Sequence, residues 1–191
     1  EENVAIVLGK ADTSELDEDT RELIGDKPVI KLSLQIGDKT ASWNNPDAPV
    51  TVSIPYTPTP EELEDPEHIV VWYIDGEGNV ISIPNGRYDP ETGTVVFETT
   101  HFSMYTVAYV HKTYDDIANS YAKKQIEVLA SKGFYSWIEG DTFDPARDIT
   151  RAEFIYLMMT ALNINTSFEE NFDDVKLENY YYQAVGAAKK L

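Results

Sequence analysis

Two hydrophobic rhythms divide this chain. Up to about residue 110, apolar and polar residues tend to alternate at period two, as in half-buried strands. Beyond it they recur at i, i+3, i+4 and i+7, as in helices lying on a core. In the first region Val4–Leu8 is a short apolar strand, and residues 13–25 are acidic and turn-rich, with at most one helical turn around Asp19–Leu23. Val29–Ile36 alternates cleanly, Gly37-Asp38 turns the chain, and Thr40–Trp43 is the expected partner strand. Val50–Ile54 alternates again, and Thr57–Leu63 is a proline-punctuated connection. Ile69–Ile74 and Val80–Ile83 flank Asp75-Gly-Glu-Gly-Asn79, which has the residues of a hairpin turn. Thr94–Glu98 and Phe102–Val110 complete seven or eight short strands, the pattern of an antiparallel sandwich.

The second rhythm starts after His111. Ala118–Lys132 reads as an amphipathic helix with Ala122, Ile126 and Leu129 on one side, and Gly133 stands where a left-handed C-terminal cap belongs. A loop with Trp137, Gly140, Phe143 and Pro145 follows. A second helix then opens at Thr150, whose hydroxyl accepts from the Glu153 amide while Glu153 reaches back to the Thr150 amide, a capping box. Phe154, Leu157, Met158, Ala161 and Leu162 form its expected core stripe, and the helix ends near Asn163. Arg151 does not fit this scheme, because a cation in the first turn opposes the helix dipole. Breaking a local rule marks it as a candidate functional residue, the alternative being an ion pair with Asp148 or Asp144. After a polar linker the pattern restarts: Phe172-Asp-Asp-Val175 echoes Tyr114-Asp-Asp-Ile117 at a spacing of 58, and Tyr181, Ala184, Val185 and Ala188 echo the first helix. This is an internal repeat whose units need neighbours to bury their apolar faces.

Composition narrows the functions. The 191 residues are 42 % hydrophobic, enough for a packed core, and no apolar run approaches the 18 residues of a membrane span. The chain begins Glu1-Glu2-Asn3 with no initiator Met and no signal peptide, so a fragment of a longer protein is expected. No cysteine is present, which excludes disulfides, thiolate catalysis and zinc–thiolate sites. The net charge of −19 argues against nucleic acid and anionic membrane as partners. It is concentrated in residues 1–111, with 6 Lys+Arg against 21 Asp+Glu. The acidity reads as a solvated surface, or as adaptation to an ion-rich exterior or to divalent cations. The Asp75–Asn79 segment lacks the alternate acids and distal glutamate of a calcium loop, so it reads as a plain hairpin, and no metal site or cofactor is expected. His101 beside Ser103 lacks an orienting acid and an oxyanion site, so the two read as ties at a strand start and no catalytic residue is assigned.

Two resemblances add to this. Residues 84–105, ending in His101-Phe-Ser-Met-Tyr105, resemble the closing hairpin of β-sandwich modules of bacterial surface proteins, usually spacers or interaction domains. More specifically, Tyr114, Asp116 and Ile117, Tyr121-Ala122, Gly133, Gly140, Phe143, Pro145 and Ile149-Thr-Arg-Ala-Glu153 resemble the S-layer homology repeat. Tyr121 stands where Trp is commonest, and Phe134–Glu139 replaces a shorter turn. The resemblance implies non-covalent attachment to an acidic, often pyruvylated, secondary cell-wall polysaccharide at the bacterial surface, with grooves between three repeats and the motif arginine binding the acidic sugar. The implied ligand-binding residues are Arg151, Thr150, Glu153, Asp116, Tyr121 and Gly133, with Tyr121, Trp137 and Phe134 open to sugar stacking or core packing.

The expectation is therefore a two-domain chain: an all-β antiparallel sandwich over 1–111, then an all-α helical repeat region. The latter holds a first repeat over 112–170 and an incomplete second one over 171–191. The expected role is that of a non-enzymatic, extracellular cell-wall or S-layer fragment, with other surface-protein chains as further partners. The alternatives are the anchoring part of a polysaccharide-degrading enzyme and a protein- or calcium-binding module.

Overall fold

The period-two runs become strands, and the turns between them set the pairing. The structure, a computed structural model, describes residues 3–191. The chain divides into two compact units, Glu1–Val110 and His111–Leu191.

In the first unit the strands are β1 (Val4–Lys10), β2 (Val29–Ile36), β3 (Lys39–Ala41), β4 (Val50–Pro55), β5 (Ile69–Ile74), β6 (Val80–Ile83), β7 (Arg87–Asp89), β8 (Thr94–Thr99) and β9 (Met104–Tyr109). All pairs are antiparallel. One sheet runs β1-β2-β9-β5-β6 with β3 added on β2, and the other runs β4-β8-β7. Leu32, Ile69, Val71, Tyr105 and Val107 of the larger sheet meet Val52, Ile54, Val95 and Phe97 of the smaller one in a shared core. These residues alternate along their strands, which is why period two is visible in the sequence.

The all-β expectation for this unit is corrected by a seven-residue helix, α1 (Glu18–Ile24). Asp17 caps it by accepting from the Thr20 amide at 2.8 Å, and Glu18 and Asp19 sit in the first turn, where the helix dipole favours acids. Ile24 packs with Ala11, Val29 and Ile74 against the larger sheet. A helix that buries little more than one isoleucine leaves no periodic stripe to read.

Two local readings resolve here. Asp75 accepts from the amides of Glu77 and Asn79 and from the Asn79 side chain, a self-contained turn. The Ser103 hydroxyl donates to the Ile74 carbonyl at 2.6 Å, while the His101 ring packs edge-on to Tyr73 at 4.8 Å. Burial holds the His101 imidazole below its ordinary value.

The all-α expectation for the second unit is also corrected. Its helices α2 (Lys123–Ser131), α3 (Arg151–Ala161) and α4 (Tyr182–Lys190) are short, and residues 132–150 and 162–181 between them are turn and irregular chain. The helix read over Ala118–Lys132 starts only at Lys123. A 3-10 turn takes Asp115–Ile117, and the Ser120 hydroxyl accepts from the Ala122 amide. Long irregular stretches are possible here because aromatic residues pack them: Tyr114, Phe134 and Tyr135 join Ile117, Ile126 and Ala130 in the core, with Phe143 against it.

The face of α3 also differs from the reading. Phe154, Met158 and Leu162 are exposed, whereas Glu153 and Met159 are buried. Apolar residues surround this helix on all sides, so spacing alone cannot choose the buried face. α2 and α3 end alike. Gly133 (φ +80°) and Asn163 (φ +51°) each take the left-handed position. The following Phe134 and Ile164 amides reach back to the Leu129 and Met159 carbonyls, the Schellman pattern.

Candidate functional site

Asp116 lies in the 3-10 turn near the start of the second unit. Its carboxylate accepts from the Phe143 amide at 2.9 Å and the Asp144 amide at 2.6 Å, and those bonds hold it below the usual carboxylate range. The neighbouring Asp115 amide donates to the Asp141 carbonyl at 2.8 Å. The opening turn is thus pinned to the loop that leads into α3. Phe143 anchors the same loop in the core, with ring centroids 5.3 Å from Tyr114 and 4.9 Å from Tyr135.

The pinned loop delivers Arg147 to Glu153. Two guanidinium nitrogens donate to the two carboxylate oxygens, at 3.1 and 2.7 Å. Glu153 also accepts from the Thr150 amide at 2.7 Å, and its own amide donates to the Thr150 hydroxyl at 3.2 Å, so the capping box is complete. Glu153 is buried, yet these donors, the Arg147 side chain foremost, pull its carboxyl down to about 2. The sequence reading missed Arg147. Its signal was a second cation six residues before the capping glutamate, within reach only once the loop turns at Asp144 (φ +58°).

With Arg147 taken by Glu153, the start of α3 keeps one open cation. Arg151 is exposed, and among the described residues no carboxylate lies in salt-bridge range of it; neither Asp148 nor Asp144 pairs with it. Thr150 beside it is exposed as well. The capping box takes the Thr150 and Glu153 amides, so the N–H donors that this end combines with a planar cation are those of Arg151 and Ala152, in the first turn.

The aromatic candidates separate. Phe134 is buried in the core. Trp137 is half-buried, and Tyr180 stacks on its ring at 4.7 Å and 10°. Tyr156 meets both rings edge-on, each at 5.2 Å. Partial desolvation in the stack, helped by the Glu153 charge, pushes the Tyr180 phenol up to about 12. Below this nest a pocket of about 220 Å³ is lined by Tyr135, Trp137, Phe143, Arg147, Glu153 and Leu157 among others. Tyr121, in contrast, is fully exposed. α2 and α4 are both nine residues long and start 59 positions apart, so Tyr121 and Tyr180 occupy corresponding places. The structure therefore gathers Thr150, Arg151 and Glu153 at one helix end and ties Asp116 to the adjoining loop. Gly133 lies at the end of α2, and Tyr121 precedes its start.

A pH effect follows from Glu153. Its carboxyl falls from 4.5 to about 2 on folding, so its contribution is complete above pH 4.5 and is lost as pH falls through 2. Acid titration followed by circular dichroism is expected to show a shallower loss of stability between pH 4.5 and 2 for Glu153→Gln than for the unaltered chain. Asp116 keeps a smaller slope of the same sign.

The comparisons agree with these residues. The S-layer homology domain model matches residues 113–155. An amylopullulanase of Thermoanaerobacterium thermosulfurigenes is 35 % identical over 130 residues, covering 68 % of this chain and 7 % of the relative. That length exceeds the second unit, so the match reaches into the strand unit. An endo-1,4-beta-xylanase A of Thermoanaerobacterium saccharolyticum is 39 % identical over 79 residues, 41 % of this chain and 7 % of the relative. A surface-layer 125 kDa protein of Lysinibacillus sphaericus is 32 % identical over 69 residues, 36 % of this chain and 6 % of the relative. The chain thus spans 6 to 7 % of the length of these curated relatives. No solved structure matches it. The pinned opening turn and the capped start of α3 both fall within residues 113–155, which carry an S-layer homology domain, a domain of the bacterial cell surface.

Proposed function

We propose that the second unit is a non-enzymatic anchor that holds its protein to an acidic secondary cell-wall polysaccharide, with the strand unit as spacer or interaction module. The observation that carries this reading is Arg151, an exposed guanidinium without a carboxylate partner among the described residues, at the first position of a capped helix. A planar donor fork fits a carboxylate on a sugar, such as a pyruvate ketal, and the helix-end amides add donors for the same anion. Thr150 and Glu153 act by fixing this end, and Asp116 by holding the loop before it.

The test is co-sedimentation of the chain with purified bacterial cell walls. Arg151→Ala is expected to weaken binding about 10- to 100-fold, the range of a lost charge-assisted bidentate contact, without changing the melting temperature. Equal binding of the two proteins would remove this role from Arg151.

A second reading is favoured by the amylopullulanase and xylanase matches: the same anchor serves a wall-held polysaccharide-degrading enzyme. Hydrolysis of starch or xylan by the full parent protein would support that reading, and its absence would favour a structural surface protein.

A further inference from the structure

β1 is the least protected part of the strand unit. All seven of its residues are exposed, among them Val4, Ile6, Val7 and Leu8. It pairs in a one-to-one register with β2 along its whole length, from Val4 opposite Ile36 to Lys10 opposite Ile30, and among the described residues its other edge faces no strand. The Gly37 amide donates to the Asn3 carbonyl, and the Ala11 amide to the Val29 carbonyl. Odd-numbered residues therefore direct their backbone groups at β2. Val4, Ile6 and Leu8 direct their N–H and C=O groups outward. The same three side chains lie across from Leu32, Leu34 and Ile36, on the face that carries the inter-sheet core at Leu32, but they are not covered.

Natural edge strands are usually blunted by a proline, a bulge or a charge within the strand. β1 has none of these; its one charge, Lys10, stands at the end. It is also free of acid, since no Asp or Glu occurs from Asn3 to Ala11, in a unit otherwise strongly acidic. Most faces of this unit repel a second copy of it, and β1 is a face that does not.

We propose that the chain associates with a second copy of itself by antiparallel pairing of β1 with its counterpart about a two-fold axis. With the axis at Ile6, Ile6 pairs with its own counterpart and Val4 with the partner's Leu8. All are outward-facing, so each pair exchanges two main-chain hydrogen bonds. The apolar rows of both copies then run together on one face, and the two larger sheets become one continuous sheet. Such self-matching is what a two-fold contact requires. A single short strand buries well below the ~800 Å² per partner of a standard interface, so a weak dimer is expected, with a dissociation constant on the order of 10–1000 µM. Such an affinity is significant only where copies are crowded, as on a surface.

Sedimentation equilibrium of the full chain from about 10 µM to 1 mM tests this. Ile6→Lys places two like charges against each other at the axis, and Ile6→Pro removes an outward N–H without touching the ladder to β2. Leu177→Lys alters a still more exposed apolar residue of the second unit and serves as the control for general stickiness. The expected result is a reversible dimer for the unaltered chain and for Leu177→Lys, and at least tenfold weaker association for both Ile6 variants at unchanged melting temperature. A monomer throughout the range, dimerisation of the Ile6 variants at unaltered strength, or equal loss in Leu177→Lys would overturn the proposal.

Discussion

Glu153→Ala is expected to destabilise the second unit by about 2–4 kcal/mol, among the larger effects of a single substitution. Three hydrogen bonds go at once, two from the Arg147 guanidinium and one from the Thr150 amide, and with the first two goes the link that holds the 143–150 loop to α3. A fully buried pair would cost about 3–5 kcal/mol to break. The Arg147 side chain is 43 % exposed and recovers water when its partner is removed, which lowers the figure. Glu153→Gln keeps an acceptor for the Thr150 amide and loses the charge, so about half the effect is expected. Thermal unfolding monitored by circular dichroism measures both. A loss below about 0.5 kcal/mol for the alanine variant, the size of an ordinary surface change, would show that the Arg147–Glu153 link does not hold this end of the unit.

Tyr180→Ala is expected to cost about 1–3 kcal/mol, less than for a core aromatic because the ring is stacked and yet 38 % exposed, and Tyr121→Ala less than about 0.5 kcal/mol. The two residues are the same amino acid at corresponding places before α4 and α2. Tyr180 stacks on Trp137, meets Tyr156 and lies near the Arg147–Glu153 pair, while Tyr121 is open to solvent. The difference comes from what the preceding chain supplies. Trp137 and Tyr156 form the seat for Tyr180, and among the described residues no such seat is offered to Tyr121. Comparable melting temperatures for the two variants would mean that the Trp137 stack contributes little. For the same reason the Trp137 face that meets Tyr180 is closed to a sugar ring, whereas the Tyr121 ring is available.

Much of this was legible in the sequence, for identifiable reasons. Val29–Ile36, Ile69–Ile74 and Val80–Ile83 were placed to the residue because each is a run rich in β-branched and aromatic residues between clear turns, even though Ile69–Ile74 has no exposed residue. The capping box was legible because both partners lie within four residues. α1 was read as a single turn at most, since its stability comes from Asp17 and a single buried isoleucine. The second unit was read as all-helical because the repeat pattern registers helix faces and is silent on the aromatic packing of the loops. The face of α3 was misjudged because the helix is apolar all round. Arg147 was missed because its bond to Glu153 depends on a left-handed residue at Asp144 and on Asp116 pinning the loop from 27 positions away. Local rules describe contacts within a turn or two; the chemistry of this helix end is set across a longer span.

The acid-reading role proposed for Arg151 is tested most directly by titrating the chain with soluble wall polysaccharide before and after its carboxylates are reduced to alcohols. The unaltered chain is expected to lose at least tenfold in affinity when the carboxylates are removed, about the contribution of one charge-assisted pair. Arg151→Ala is expected to bind both forms with the same, weaker affinity. Unchanged affinity of the unaltered chain for the reduced polymer, or an undiminished preference for the acidic form in Arg151→Ala, would contradict the account.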